Sequence, residues 1–134
     1  MAHDIENYVF STVATALRND FDGVFVTGEY TRTPSRFPHV SIVEMDNYPT
    51  QGHTDNSGVE KFDTVAYEVN VYTNLTVGKK AQAKAIMDVI DRKMHSMNFL
   101  RLFRNTIPNL EDSTIYRMTA RYRAETDGET IYRP

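Results

Sequence analysis

The sequence contains no cysteine. Without a thiolate the chain forms no disulfide, binds no iron–sulfur cluster through cysteine and builds no cysteine-ligated zinc site. It also has no apolar run near the roughly 20 residues that a membrane helix requires. The first ten residues, MAHDIENYVF, show no basic segment followed by a long apolar one, so we expect no signal peptide. These features predict a soluble protein that stays where it is made and has no membrane partner.

A strong net charge is also missing. The 134 residues carry a formal net charge of -3, which argues against generic nucleic-acid binding. Residues 1–91 carry 7 basic and 13 acidic side chains, whereas residues 92–134 carry 8 basic and 5 acidic ones. Opposite charge in the two parts favours head-to-tail pairing between copies, because complementary potentials steer association. Chance imbalance in a small domain is the alternative.

The common motifs of catalysis and metal binding are absent as well. The four histidines show none of the HxxxH, HxH or HExxH spacings that bring two ligands to one side. No GxSxG elbow is present, and the Gly78-Lys79 pair lacks the upstream glycine of a phosphate-binding loop. Nothing in the sequence assembles an acid, a base and an electrophile. We therefore expect a protein that is not an enzyme, with no catalytic residue, no metal and no cofactor.

Hydrophobic periodicity predicts an α+β fold. Residues 4–18, with Asp4 as the N-cap, and a stripe from Ala83 to Met97 have helical spacing. Strands are expected at residues 23–30, 39–45, 64–73, 99–105, 116–125 and 129–133. The first two strands should form a hairpin. Since no helix lies regularly between neighbouring strands, we expect a mainly antiparallel sheet of about five to six strands with two helices packed on one face, in a single domain over residues 1–134.

One long connection is expected between the second and third strands. Residues 46–60, DNYPTQGHTDNSGVE, are rich in turn formers and almost without aliphatic side chains. Structureless connections of this length are uncommon in compact domains and are usually functional or disordered. We expect a long flexible loop that contacts a partner, with candidate contact residues Tyr48, His53 and Asp55.

The stretch YRMTARYRAE, residues 116–125, alternates strictly between two sets of side chains. One face of this strand carries Arg117, Arg121 and Arg123, and alternate positions on a strand are roughly 7 Å apart. Three interpretations remain open: a protein interface that binds carboxylates, a solvated face that protects an edge strand, and a surface for nucleic acid. For the nucleic-acid interpretation, this face of the strand lacks exposed aromatic rings for base stacking, because Tyr116 and Tyr122 fall on the opposite face.

The order of elements and the C-terminal third resemble a family of small phage structural proteins. The segment IPNLEDSTIYRMTARYRAETDGETIYR contains Pro108-Asn109, an aspartate turn at Asp112 and the closing Ile131-Tyr132-Arg133. This segment is similar to tail-terminator proteins, which are also called tail-completion, tail-to-head joining or minor capsid proteins. The AYEVNVYTN strand before the second helix fits the same layout.

The resemblance implies an α+β sheet with helices on one side and assembly into a ring, usually a hexamer. Such a ring caps the tail tube, stops its polymerisation and joins the tail to the DNA-filled head, with no bond made or broken. The implied location is the head–tail interface of the virion, after synthesis in the host cytoplasm. The implied partners are other copies of the chain, the major tail tube protein and a head-completion or connector protein. DNA in the lumen would be a passing contact.

A ring of this kind would bring the arginine row of one subunit to acidic positions of the next. The candidate acidic residues are Glu44, Asp46, Glu60 and Asp63. Single exposed ion pairs contribute only about 0 to 1 kcal/mol each, so we expect a largely monomeric free protein that assembles on a tube end. Two alternatives remain: a head-side connector or stopper protein of the same junction, and a small nucleic-acid-binding module that uses the arginine row.

Overall fold

A computed structural model describes residues 5–49, 62–108 and 112–134, and the structural statements below concern these residues. They form two helices and six strands, in the order α1 (Glu6–Asp20), β1 (Phe25–Thr27), β2 (His39–Pro49), β3 (Asp63–Thr73), α2 (Lys79–Ser96), β4 (Leu100–Ile107), β5 (Tyr116–Thr126) and β6 (Ile131–Tyr132). The strands make one sheet in the order β1-β2-β3-β5-β4, and β6 pairs with the end of β5. The predicted α+β fold with a mainly antiparallel sheet is confirmed.

The first two strands are the exception to antiparallel pairing among the described strands. β1 runs parallel to β2, with Phe25 opposite His39, so the expected hairpin is wrong. The connection over residues 28–38 is long enough to carry the chain back to the end of the sheet from which β1 began. Two parallel strands require such a return, because a tight turn joins only antiparallel ones.

One face of the sheet packs against both helices and forms the core. Successive side chains of β3 and β5 point to opposite faces, and those on the helix side are buried aliphatic and aromatic residues. The helices contribute apolar stripes to the same layer, as their spacing predicts. Among the described residues, no helix combines the length and the apolar character needed to span a bilayer. The core includes Val65, Tyr67, Val69 and Val71 of β3; Met118, Ala120, Tyr122 and Ala124 of β5; Val9, Val13 and Leu17 of α1; and Ile86, Met87, Ile90 and Met94 of α2.

Several boundaries differ from those predicted. α1 begins at Glu6 with Ile5 in the N-cap position, so the N-cap assignment is wrong; Asp4 itself lies outside the described residues. β1 covers only Phe25–Thr27 instead of residues 23–30. β4 covers Leu100–Ile107, where a strand was predicted at residues 99–105.

The long connection after β2 begins later than predicted. Residues 46–49 continue β2, because a bulge at Met45 keeps them in register with the start of β3. Cross-strand pairing there outweighs the turn preference of Asp46, Asn47 and Pro49. The remainder of the predicted loop, residues 50–60, lies outside the described residues.

Candidate functional site: the arginine face

The second face of the sheet carries the three arginines of β5. We call this surface the arginine face and define it by Arg117, Arg121 and Arg123 with the side chains opposite them on β3 and β4. Strict alternation along β5 directs these arginines away from the helices, because neighbouring side chains point to opposite faces. Tyr122, on the other parity, is buried in the core.

Arg121 is bound within its own chain. It lies opposite Glu68 of β3, and its Nη2 donates to Glu68 Oε2 at 2.7 Å. The guanidinium carbon lies 5.6 Å from the centre of the Phe103 ring on β4. Burial alone would raise the pKa of Glu68, but the hydrogen bonds from Arg121 and Asn70 and the charges of Arg121 and Arg117 outweigh it and lower the pKa. Sequence analysis missed Glu68 as the carboxylate partner of this arginine.

Arg117 is also held within the chain. Its Nε and Nη2 donate to Asn70 Oδ1 at 3.1 and 2.9 Å, and Asn70 Nδ2 donates to Glu68 Oε1 at 3.1 Å. The guanidinium carbon lies 5.4 Å from the centre of the Tyr72 ring, within range of a cation–π contact. Arg117, Asn70, Glu68 and Arg121 therefore form one connected network, which fixes two of the three arginines in position.

A row of rings extends from Arg117 towards the opposite edge of the sheet. Tyr72, His39 and Phe25 lie side by side, with centroid distances of 5.6 Å between His39 and Tyr72 and 5.1 Å between Phe25 and His39. The connection between β1 and β2 reaches this row, since the Tyr72 hydroxyl donates to the Thr31 carbonyl oxygen at 3.4 Å. His39 is 2% exposed, and neither ring nitrogen has a hydrogen-bond partner among the described residues. Burial lowers the pKa of this imidazole, so it is a neutral ring in the stack at physiological pH.

Arg123 differs from the other two arginines. It lies opposite Ala66 of β3 and Leu100 of β4, neither of which offers a carboxylate. Its Nε is buried and, like Arg121 Nε, makes no hydrogen bond in the described part of the chain, so the difference from Arg121 is the missing carboxylate partner. Asp46 lies on the far side of Ala66 in the same cross-strand row. Arg123 is thus the arginine with the most remaining capacity to bind a partner.

The other candidate contact residues predicted from the sequence do not share one surface. Asp46 and Tyr48 lie opposite Ala66 and Thr64, on the side of the sheet that carries the arginines. Glu44 and Asp63 instead belong to rows on the helix side, since cross-strand partners share a face: Glu44 is opposite Tyr67, and Asp63 is opposite Thr126. The remaining candidates, His53, Asp55 and Glu60, lie outside the described residues. Within residues 5–49, 62–108 and 112–134, no group of three or more His, Asp or Glu side chains is placed to bind a metal ion.

Comparison with known proteins shows a similarity of fold. The sequence matches no protein-family model and no curated protein sequence. Its fold is similar to that of a chain from the virion of a native gene transfer agent particle, with a TM-score of 0.64 and 17% sequence identity. The match covers 88% of this chain and 93% of the other chain. The TM-score shows that the two chains share a fold, and at 17% identity the similarity extends to the fold alone.

Proposed function

We propose that this chain is a structural subunit of a phage-type virion, in which a ring of copies at the head–tail junction terminates the tail tube and joins the tail to the head. The observation that carries the proposal is the fold that the chain shares, over 88% of its length, with a chain of a gene transfer agent virion. Because a fold alone does not define a function, the resemblance of residues 107–133 to tail-terminator proteins is the second support. A subunit of this kind acts by binding, without catalysis.

The arginine face is the surface that best suits a protein partner in this function. Arg117 and Arg121 are fixed by Asn70 and Glu68, so ordering them costs little further entropy on binding. Arg123 has no carboxylate in the described part of the chain, and its planar fork suits a partner's Asp or Glu. The partners that we propose are the major tail tube protein and a head-completion or connector protein.

The end of the hairpin formed by β2 and β3 extends the same contact surface. Asp46 lies in the cross-strand row of Arg123, and Tyr48 is 49% exposed one pleat further along. The segment that follows contains His53, Asp55 and Glu60, which we propose as additional contacts to the tube or connector. A surface that places a row of arginines beside Asp46 and Tyr48 can discriminate between partners by charge.

Particles made with and without the protein test the proposal. Mass spectrometry should find the chain in purified virions at low copy number, and electron microscopy of particles lacking it should show overlong free tails. Empty heads beside tails of normal length would favour the head-side stopper alternative. Complete and infectious virions without the chain would contradict both assignments.

A nucleic-acid-binding module is the second candidate, and one observation favours it. The arginine face holds more aromatic surface than β5 alone suggests, since Phe103 lies beneath Arg121 and the 54% exposed Tyr30 lies 6.0 Å from Arg117. Arginines beside rings are typical of surfaces that bind single strands. A salt titration of DNA binding separates the two functions: a structural subunit should show no measurable affinity at low salt. Binding that weakens steeply with salt and is reduced by Arg123→Gln would support the module instead.

A further inference from the structure

The sheet ends in two open edges. Among the described strands, β4 pairs with β5 only and therefore forms one edge. On the other side, β1 is the one described strand next to β2, and it pairs with residues 39–41. This leaves residues 42–49 of β2 and the eight residues of β4, Leu100–Ile107, as edge segments of equal length. An edge of this length is a template for pairing with a strand of another chain.

The two edge strands contain charged side chains of opposite sign. β4 contains Arg101 and Arg104 and no acidic residue, whereas residues 42–49 contain Glu44 and Asp46 and no basic residue. The two arginines form ion pairs with Asp91 and Asp88 of α2, at 3.3 and 2.8 Å, which offset part of the positive charge of β4. Two copies of the β2 edge would bring like charges together. A β4 edge beside a β2 edge avoids this repulsion, so charge favours head-to-tail pairing over symmetric pairing of the β2 edges.

Both edges also expose apolar side chains. Leu100 and Leu102 of β4 are 42% and 45% exposed, and Met45 and Tyr48 of β2 are 47% and 49% exposed. Single exposed apolar residues are ordinary on a protein surface. Here two of them lie on each open edge, where a neighbouring strand would cover them.

The directions of the strands allow one continuous sheet across copies. β2 and β5 run one way and β3 and β4 run the other, because each successive pair along the path from β2 to β4 is antiparallel. Rotation about an axis parallel to the strands preserves these directions. The β4 strand of one copy would therefore meet the β2 strand of the next as an antiparallel neighbour, the arrangement that forms most readily at exposed edges. All arginine faces would then lie on one side of the continuous sheet.

We propose that copies of this chain associate head to tail by pairing β4 with residues 42–49 of β2 in the next copy, an inference that rests on the proposed function insofar as this contact closes the ring. A heterologous contact of this kind generates a ring when the rotation between copies closes. The pairing is weak, because each edge also carries a β-bulge, near Leu102 and at Met45, that limits its regular ladder. Weak pairing is consistent with a free protein that is largely monomeric.

Single cysteines test the pairing directly, because the sequence contains no other thiol. Leu100→Cys marks β4 and Tyr48→Cys marks the β2 edge; both positions are exposed on the same face of the sheet, and antiparallel overlap of the two segments brings the start of β4 to the end of β2. A short bismaleimide traps even transient pairs. A mixture of the two full-length variants should yield cross-linked dimers at least about tenfold faster than either variant alone. A chain with both substitutions should yield a ladder of bands that ends at the ring size.

Other cross-linking results would overturn the pairing. Equal yields from one variant alone and from the mixture would indicate a symmetric contact. No product from the mixture at the highest soluble concentration would show that the edges do not meet. Products found only in particles, with masses that are not multiples of the chain, would show that another virion protein occupies the edge.

A matched pair of charge variants gives a second test. Leu102→Lys and Leu102→Asp remove the same exposed side chain from β4 and add charges of opposite sign. Sedimentation should show the lysine variant associating about tenfold more tightly than the aspartate variant, because the opposing edge is acidic. In a background with Asp46→Lys, which leaves Glu44 as the one acidic residue of this edge segment, the difference between the two variants should shrink; an unchanged difference would contradict the proposal. Val77→Lys and Val77→Asp, beyond the end of β3 and 87% exposed, are the controls and should not differ.

The failure of this inference can be distinguished from the failure of the proposed function. A chain that is required for normal tails, but whose edges never cross-link, would contradict the edge pairing and leave the virion function intact. A chain that cross-links as expected, but whose loss leaves heads and tails complete, would retain the edge pairing and contradict the virion function.

Discussion

The two faces of the sheet follow the same alternating pattern but are stabilised in different ways. On the helix side, aliphatic and aromatic side chains of β3 and β5 are buried under α1 and α2. On the arginine face, Asn70 and Thr119 are 1% and 4% exposed although neither of the two described helices packs there. The side chains of Arg117 and Arg121 cover this layer, since arginine stems are apolar while the charged heads reach acceptors. Long side chains of a polar sheet face can thus bury that face without a helix. Only polar groups that make no hydrogen bond or ion pair within the face remain available to bind a partner.

The largest expected effect comes from the helix side. Ile86→Ala removes a fully buried side chain of α2 and should lower the free energy of unfolding by about 2 to 5 kcal/mol, because the lost burial and the cavity add together. Chemical denaturation measures the change. Leu75→Ala, at a 45% exposed position before α2, is the control and should change stability by less than about 0.5 kcal/mol. Equal losses at the two positions would contradict the assignment of the core.

An intermediate effect is expected within the network on the arginine face. Glu68→Gln removes the charge that binds Arg121, and we expect a loss of about 1 to 2 kcal/mol at neutral pH. The value lies between those of surface and buried ion pairs, because the side chain of Glu68 is 18% exposed and that of Arg121 is 36% exposed. Glu29→Gln, an exposed carboxylate on the connection after β1, should have little effect.

The effect of Glu68→Gln on the free energy of unfolding should depend on pH, and the sign follows from the pKa of Glu68. The folded-state pKa of Glu68 lies below its usual value, so the unfolded chain takes up a proton first as the pH falls. The stability contributed by Glu68 is present above the ordinary carboxyl pKa and is lost as the pH falls through the lower folded pKa. The difference between the native chain and Glu68→Gln should therefore shrink in acid. A difference that stayed constant would show that the ion pair is not its source.

The contrast between the faces also shows which features a sequence alone can predict. Alternation in residues 116–125 predicted which side chains share a face, because that period is a local property of the strand. The pairing of Arg121 with Glu68 depends on the register between strands 53 positions apart, and no local pattern specifies that register. For the same reason the parallel pairing of β1 was missed. Turn formers at residues 46–49 suggested a loop, whereas pairing with β3 keeps them extended.

A smaller effect, with the opposite sign, is expected at His39. His39→Phe retains a ring between Phe25 and Tyr72 and removes two buried nitrogens that have no hydrogen bond in the described residues. We expect a gain of about 1 kcal/mol at neutral pH, since a buried unsatisfied polar group is costly. Thermal unfolding measures it, with His95→Phe at an exposed position of α2 as the control.

The stability gained by His39→Phe should be larger at acidic pH. Burial lowers the pKa of His39 in the folded state, so the unfolded chain binds a proton first as the pH falls below the ordinary value of 6.5. This group therefore destabilises the native fold progressively below that pH and has no such effect above it. His39→Phe should remove this part of the pH dependence. An unchanged dependence would indicate that His39 becomes protonated in the folded protein and is less enclosed than its 2% exposure implies.

The smallest effect on stability is expected at Arg123, where the effect on binding should be largest. Arg123→Glu breaks no hydrogen bond at Nε and no ion pair in the described part of the chain, so the free energy of unfolding should change by less than about 0.5 kcal/mol. Arg121→Glu is the matched comparison: it sets two carboxylates opposite each other at Glu68 and should destabilise the fold measurably. If Arg123 binds a partner's carboxylate, the Arg123→Glu chain should fold normally yet fail to join heads to tails. Normal joining by this variant would instead assign Arg123 to a solvated face, the interpretation in which the arginines only shield the sheet.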